Sequence, residues 1–163
     1  MYRGIILYGI KNENENKINC FSPSALINRS RYKLAILNPL KDKTGIYIFL
    51  DSEFVPVYIG IGGQKTNGQN LKIRLGQELR AHVKKGQSTE YSKDSGATLS
   101  KNIQEIDKLL TQEDISADTS IETIKGFKII TLAVGDIDCE KDVLNARALE
   151  TVLISLFHPK YNK

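Results

Sequence analysis

Tryptophan is absent from this chain of 163 residues, methionine occurs once, and only two cysteines, two histidines and four prolines are present. Cys20 and Cys139 lie far apart, with no CxxC or Cys/His spacing around either. That excludes a disulfide framework and a zinc site of the usual kind, and leaves two ordinary thiols. No apolar run approaches the roughly 18 to 20 residues that a membrane span needs. The N-terminal stretch MYRGIILYGIKNEN is too short and too soon interrupted by charge for a secretion signal, so the expectation is a cytoplasmic protein with no membrane partner. Also missing are GxxxxGK[ST], GxGxxG after a strand, HExxH and GxSxG, which removes the commonest nucleotide-binding, zinc-protease and serine-hydrolase readings. The chain has no internal repeat and no low-complexity segment.

What is present suits one globular domain with a real core: 40% hydrophobic and 26% charged residues. The formal net charge of +4 and the pI near 9.0 favour an anionic partner. Arg29, Arg31 and Lys33 form one basic group, and Lys72, Arg74, Arg80, Lys84 and Lys85 form another.

Residues 4 to 10 have the β-branched, apolar character of a strand, and Ser22-Pro23-Ser24 suits the start of a short helix reaching about Arg31. Gly45 to Leu50 and Val55 to Ile59 read as a hairpin with Asp51-Ser52-Glu53 at its tip, and Pro56 confines the second strand to an edge-like start. After the glycine-rich stretch Gly60 to Gly68, a helix is expected from about Asn70 to Lys84, with Leu71, Leu75 and Leu79 toward the core. A second helix is expected over Leu99 to Leu110 with Ile103, Ile106 and Leu110 as its stripe, then a loop over TQEDISADTS. A third strand follows at 127 to 134. A last helix is expected over 140 to 157, its apolar face formed by Val143, Leu144, Leu149, Val152, Leu153 and Leu156, and ended by Pro159.

The hairpin carries two tags, Gly45-Ile46-Tyr47 and Tyr58-Ile59-Gly60. Downstream stand Leu71-Lys72-Ile73-Arg74, then Glu150 within ARALETVLISLF, then Tyr161-Asn162. In that order these segments resemble the GIY-YIG nuclease family, over residues 45 to 162. The resemblance implies an α/β fold: a small, three-stranded, mostly antiparallel central sheet flanked by helices. Here it would carry an N-terminal arm (1 to 40), the hairpin and arginine helix (41 to 84), a helical insert (85 to 125), and the third strand and glutamate helix (126 to 163), all in a single domain.

It also implies metal-dependent hydrolysis of DNA phosphodiesters, a reaction that needs a proton acceptor for water, positive charge on the phosphate and help for the leaving oxygen. By resemblance Tyr47 activates water, Tyr58 orients it, Arg74 clamps the phosphate, and Glu150 is the sole protein ligand of Mg²⁺ or Mn²⁺. Asn162 would hydrogen-bond the site. His82, two helical turns beyond Arg74, would contact phosphate or accept a proton, or else simply pack. As a base, Tyr47 would need positive charge nearby to lower its pKa, from Lys72, Lys65 or the metal. The residues alone leave alternatives open: Tyr47 and Tyr58 as a cross-strand aromatic pair, Arg80 in place of Arg74, and Arg147 as an i, i+3 ion-pair partner of Glu150. DNA contacts are expected from Arg29, Arg31, Lys65, Lys72, Arg80 and Lys84. Gln87 and Asn102, with Arg29 and Arg31, are candidates for reading sequence. Compact stand-alone members of the family include restriction endonucleases, and a homodimer would let one such site cut both strands. A structure-selective repair or recombination nuclease, and a module that binds nucleic acid without cutting it, are the other readings.

Overall fold

The computed structural model describes residues 19–21, 39–63, 70–80 and 98–163. In these segments the strands are β1 (Asn19–Phe21), β2 (Lys43–Leu50), β3 (Pro56–Gly62) and β4 (Lys128–Asp136). The helices are α1 (Leu71–Arg80), α2 (Thr98–Thr111), α3 (Ala117–Gly126) and α4 (Glu140–Phe157).

The strands form one antiparallel sheet in the order β1-β4-β2-β3. Three of its four strands are the expected ones, and the short β1 extends the sheet beside β4, where nothing in the sequence had pointed to a strand. The strand proposed at 4 to 10 and the helix proposed for about 22 to 31 lie outside the described residues.

β2 is central, and almost every residue in it is buried. Its alternation divides the core. Tyr47 and Phe49 face one side, joined by Tyr58, Leu71, Leu75, Leu79, Leu99, Ile103, Ile124, Phe127 and Ile129. Ile46, Ile48 and Leu50 face the other, with Ile59 and Ile130, and α4 covers them with Leu149, Leu153, Ile154 and Phe157. The fold is thus α/β in three layers, with α1, α2 and α3 on one face and α4 on the other.

Local chemistry sets the joints. At the hairpin tip Asp51 Oδ1 accepts from the N–H groups of Glu53 and Val55, both at 2.9 Å, and Phe54 takes a left-handed φ of 63°. Asn70 caps α1, its Oδ1 accepting from Ile73 N at 3.0 Å. Gly62 lets that helix begin against the end of β3, since a Cβ there would lie 2.5 Å from Leu71 Cα.

Three expectations are corrected. Residues 117 to 120 belong to α3, capped by Ser116 accepting from Thr119 N at 3.1 Å, so the loop over TQEDISADTS is only its first part. On α2, Leu110 is exposed, and Leu99 and Ile103 are the buried apolar positions. On α4, Leu144, Val152 and Leu156 are exposed, because the sheet takes the stripe through Leu149, Leu153 and Phe157 and these three lie round the helix from it. Within the expected helical insert, Leu99, Ile103 and Ile124 share a core with Tyr47.

Candidate active site at the edge of the sheet

The two tags meet through the hairpin register. Tyr47 stands directly opposite Gly60, and Phe49, not Tyr47, stands opposite Tyr58. The cross-strand aromatic pair is therefore Phe49 with Tyr58; Tyr47 and Tyr58 touch on the diagonal, ring centroids 6.2 Å apart and tilted by 41°. Over Gly60 lies the Tyr47 phenol: a Cβ on that glycine would come within 2.4 Å of both Cζ and the hydroxyl oxygen. The glycine of the second tag is the seat of the tyrosine of the first.

Helix α1 delivers two charged side chains to this phenol. Glu78 is fully buried, and its Oε1 accepts from the Tyr47 hydroxyl at 3.2 Å. The same oxygen pairs with Arg74 Nη2 at 3.1 Å, one helical turn earlier. Its Oε2 accepts from Leu99 N at 3.1 Å, and the Thr98 N–H also bonds to the carboxylate. Glu78 thereby caps the start of α2, where a negative charge is favoured. Arg74 Nη2 also donates to Thr98 Oγ1 at 3.2 Å, and the guanidinium lies close enough to the Tyr47 phenol for their charges to interact. The Tyr58 phenol lies beside Tyr47 and Thr98.

Burial and the Glu78 and Tyr58 charges hold the Tyr47 pKa well above the ordinary phenol value, against the pull of Arg74. Arg74 is the cation beside the phenol, and the desolvation of a fully buried ring outweighs that one guanidinium. Tyr58 is raised too, first by burial and then by Glu78. Glu78 is itself raised by burial, although Arg74 and its donors pull it back.

Glu150 approaches from the other layer, round the outer edge of β3. The half-buried carboxylate lies near the Ile61 N–H, and it feels the charges of Arg147 and Arg74. Burial raises its pKa, those cations and the Ile61 N–H opposing. Among the described residues no Lys or Arg nitrogen lies within 4.0 Å of it, so the Arg147 ion pair is not formed.

The C-terminal residues seal the rest of that edge. Tyr161 N donates to Val57 O at 2.8 Å. Asn162 closes a two-way bond with Ile59, accepting from its N–H at 2.8 Å and donating to its carbonyl at 2.7 Å. The Tyr161 hydroxyl and Lys160 anchor this segment on Asp107 of α2. Asn102, considered for sequence reading, is buried and donates to Tyr161 O at 2.7 Å, so it faces the tail and not a ligand.

Tyr47, Tyr58 and Arg74 are thus brought together, with Glu150 within electrostatic reach of Arg74 and Asn162 one step down the same strand edge. Lys72 is half-buried on α1. Arg29, Arg31, Lys65, His82, Lys84 and Gln87 lie outside the described residues, as does the side chain of Arg80.

Glu78 was missed by sequence reasoning. The signal was available: it lies seven residues after Leu71 and three after Leu75, on the face already assigned to the core. An acid on that face costs free energy unless donors surround it, and here they do.

For a divalent ion the described residues offer no cluster of three or more His, Cys, Asp or Glu. Glu150 does fit the one-carboxylate pattern, being half-buried, near one backbone donor and free of a close cation among the described residues. Such a donor suits Mg²⁺, which keeps most of its shell as water and phosphate oxygens. The chain matches no protein-family model, no curated protein and no solved structure, so its own geometry carries the functional argument.

Proposed function

We propose that this chain is a divalent-metal-dependent DNA endonuclease that hydrolyses phosphodiester bonds. The observation that supports it most is the gathering of the Tyr58 phenol and the Arg74 guanidinium about the Tyr47 phenol, which lies on Gly60, with Glu150 within electrostatic reach of Arg74. Arg74, about a quarter exposed, is the member of the cluster that can reach a phosphate, and its planar fork keeps its charge at any working pH. Tyr47 and Tyr58 sit behind it as hydroxyl partners for an attacking water. Glu150 would hold Mg²⁺ or Mn²⁺, which when bound supplies charge to the leaving oxygen. In this reading the protein works in the cytoplasm, DNA is the partner, and the net charge of +4 assists its capture. A homodimer cutting both strands, as a type II restriction enzyme does, is its more specific form.

The test is incubation of the purified protein with supercoiled plasmid and with genomic DNA, in Mg²⁺ or chelator. Metal-dependent cutting supports the endonuclease, and discrete genomic fragments support restriction. Preference for branched over linear duplex would move the reading to a repair or recombination nuclease. One observation favours a module that binds without cutting: Tyr47 is fully buried, with its proton committed to Glu78. Tight metal-independent DNA binding with no nicking would establish that alternative.

A further inference from the structure

We propose that Glu78 is a positioning residue that takes the proton of Tyr47, so that the phenol passes a proton inward as it accepts one from the attacking water. This rests on the nuclease reading. The geometry comes from the Tyr47 hydroxyl, which already points its hydrogen at Glu78 Oε1 over 3.2 Å and so leaves its oxygen lone pairs toward the rest of the site.

The relay answers a difficulty the site otherwise has. A buried phenol between a carboxylate and a second phenol is a poor free phenolate, because its charge would be desolvated and set beside like charge. Passing the proton on avoids that state. Water gives a proton to Tyr47 Oη while Tyr47 gives its own to Glu78 Oε1. The resulting hydroxide forms a bond to phosphorus, the bond from phosphorus to the leaving oxygen breaks, and that oxygen takes a proton from solvent. Glu78 ends as a neutral acid and Tyr47 as a neutral phenol, and Glu78 returns its proton to solvent in the next cycle.

The surroundings of Glu78 suit an acceptor. The described groups facing it are Arg74 from its own helix, Tyr47 from β2, Tyr58 from β3 and the Thr98 and Leu99 N–H groups from α2. Two peptide donors and one guanidinium fix both oxygens in place, so the carboxylate cannot swing away from the phenol. Arg74 is also the partly exposed neighbour of the Tyr47 phenol, paired with the same Glu78 oxygen, and a phosphate that draws the guanidinium outward opens a way for water to the Tyr47 oxygen.

The experiment uses the whole chain, with Glu78→Gln, Glu78→Asp and Tyr47→Phe, each checked by thermal unfolding and DNA binding. Nicking of supercoiled plasmid in Mg²⁺ is followed against pH. The relay predicts that Glu78→Gln slows kcat by about 100-fold or more with KM little changed, as removal of a proton acceptor does. It also predicts loss of the acid limb of the wild-type profile, and partial recovery of both rate and limb in Glu78→Asp. A second readout needs no cutting: in protein carrying ¹³C at tyrosine Cζ, Tyr47, assigned by its absence in Tyr47→Phe, titrates at lower pH in Glu78→Gln than in wild type. Wild-type rate and profile in Glu78→Gln, or equal loss in Glu78→Gln and Glu78→Asp, would overturn the relay. Should the variants not fold, a wild-type rate that is flat on the acid side would do the same. Wild-type protein that cuts nothing would overturn the nuclease reading and the relay with it. Cutting with an unmoved Tyr47 signal would overturn the Glu78 contact and the relay with it, leaving the nuclease reading in place.

Discussion

The Tyr47 ring lies on the bare backbone of Gly60, its direct cross-strand partner, and any side chain at that glycine would occupy the space of the phenol. This couples the two tags physically: one supplies the hydroxyl and the other the room for it. It also closes one side of the ring, and among the described residues the hydroxyl meets Glu78, Arg74 and Tyr58 on the other.

Replacing Gly60 by Ala forces its Cβ to within 2.4 Å of the phenol, and Tyr47, packed against Phe49 and Tyr58, has nowhere to retreat. The expected cost is about 1 to 3 kcal/mol of stability, as for overpacking elsewhere. Urea unfolding of wild type and Gly60→Ala measures it. Unchanged stability would mean that the ring is not held on the glycine.

Alkaline pH should loosen the fold. Tyr47 and Tyr58 keep their protons to higher pH when folded than the ordinary value near 10, through burial first and Glu78 second. The unfolded chain therefore loses these protons first. Stability from this source is complete below pH 10 and falls as pH rises beyond it, by up to about 1.4 kcal/mol per pH unit for each phenol. Urea midpoints between pH 8 and 11 give the slope, and Tyr47→Phe should flatten it.

Arg74 has structural work as well as its proposed role on phosphate. Arg74→Ala leaves the fully buried Glu78 without its cation, and a loss on the order of 3 kcal/mol is expected. Arg74→Lys keeps the charge and should cost less, while losing the fork geometry. Thermal unfolding of both separates the two roles, and equal losses would contradict the account.

The large elements were legible because their patterns are unmixed. β2 alternates two apolar faces, β4 does so over Ile129 to Ala133, and α4 runs from Glu140 to Phe157 as expected. α3 was not legible: ADTSIETIKG is rich in Thr and Ser, which bond their own backbone and read as loop, and its buried Ile124 stands nearly alone. In the site, the tyrosines, Arg74 and Glu150 were found as segments of sequence. Glu78 was not, because a carboxylate on an amphipathic helix reads as solvated charge, and only the three-dimensional gathering of Tyr47, Arg74 and the start of α2 gives it partners. The burial of Tyr47 was not legible either, since sequence shows which cations are near in the chain but not the desolvation that raises the phenol.

At the strand edge, Asn162 supplies both a donor and an acceptor to Ile59. Asn162→Ala removes both bonds, and a loss of about 1 to 3 kcal/mol follows from leaving those backbone groups without their partner. Hydrogen exchange should show the Ile59 amide exchanging faster while the Ile48 amide in β2 is little affected. Equal protection in both proteins would mean that Asn162 does not guard the edge.

The central claim concerns the joint site of Arg74, Tyr47 and Glu150, and plasmid nicking by wild type and Glu150→Ala tests it most directly. Glu150 bears no ion pair among the described residues, so its loss should leave the fold intact, and a matched thermal transition checks this. The account predicts nicking by wild type in Mg²⁺, none in chelator, and at least a 100-fold loss in Glu150→Ala, the scale of losing one transition-state stabilising group. Nicking by Glu150→Ala at the wild-type rate, or no nicking by folded wild type in any divalent ion, would contradict it.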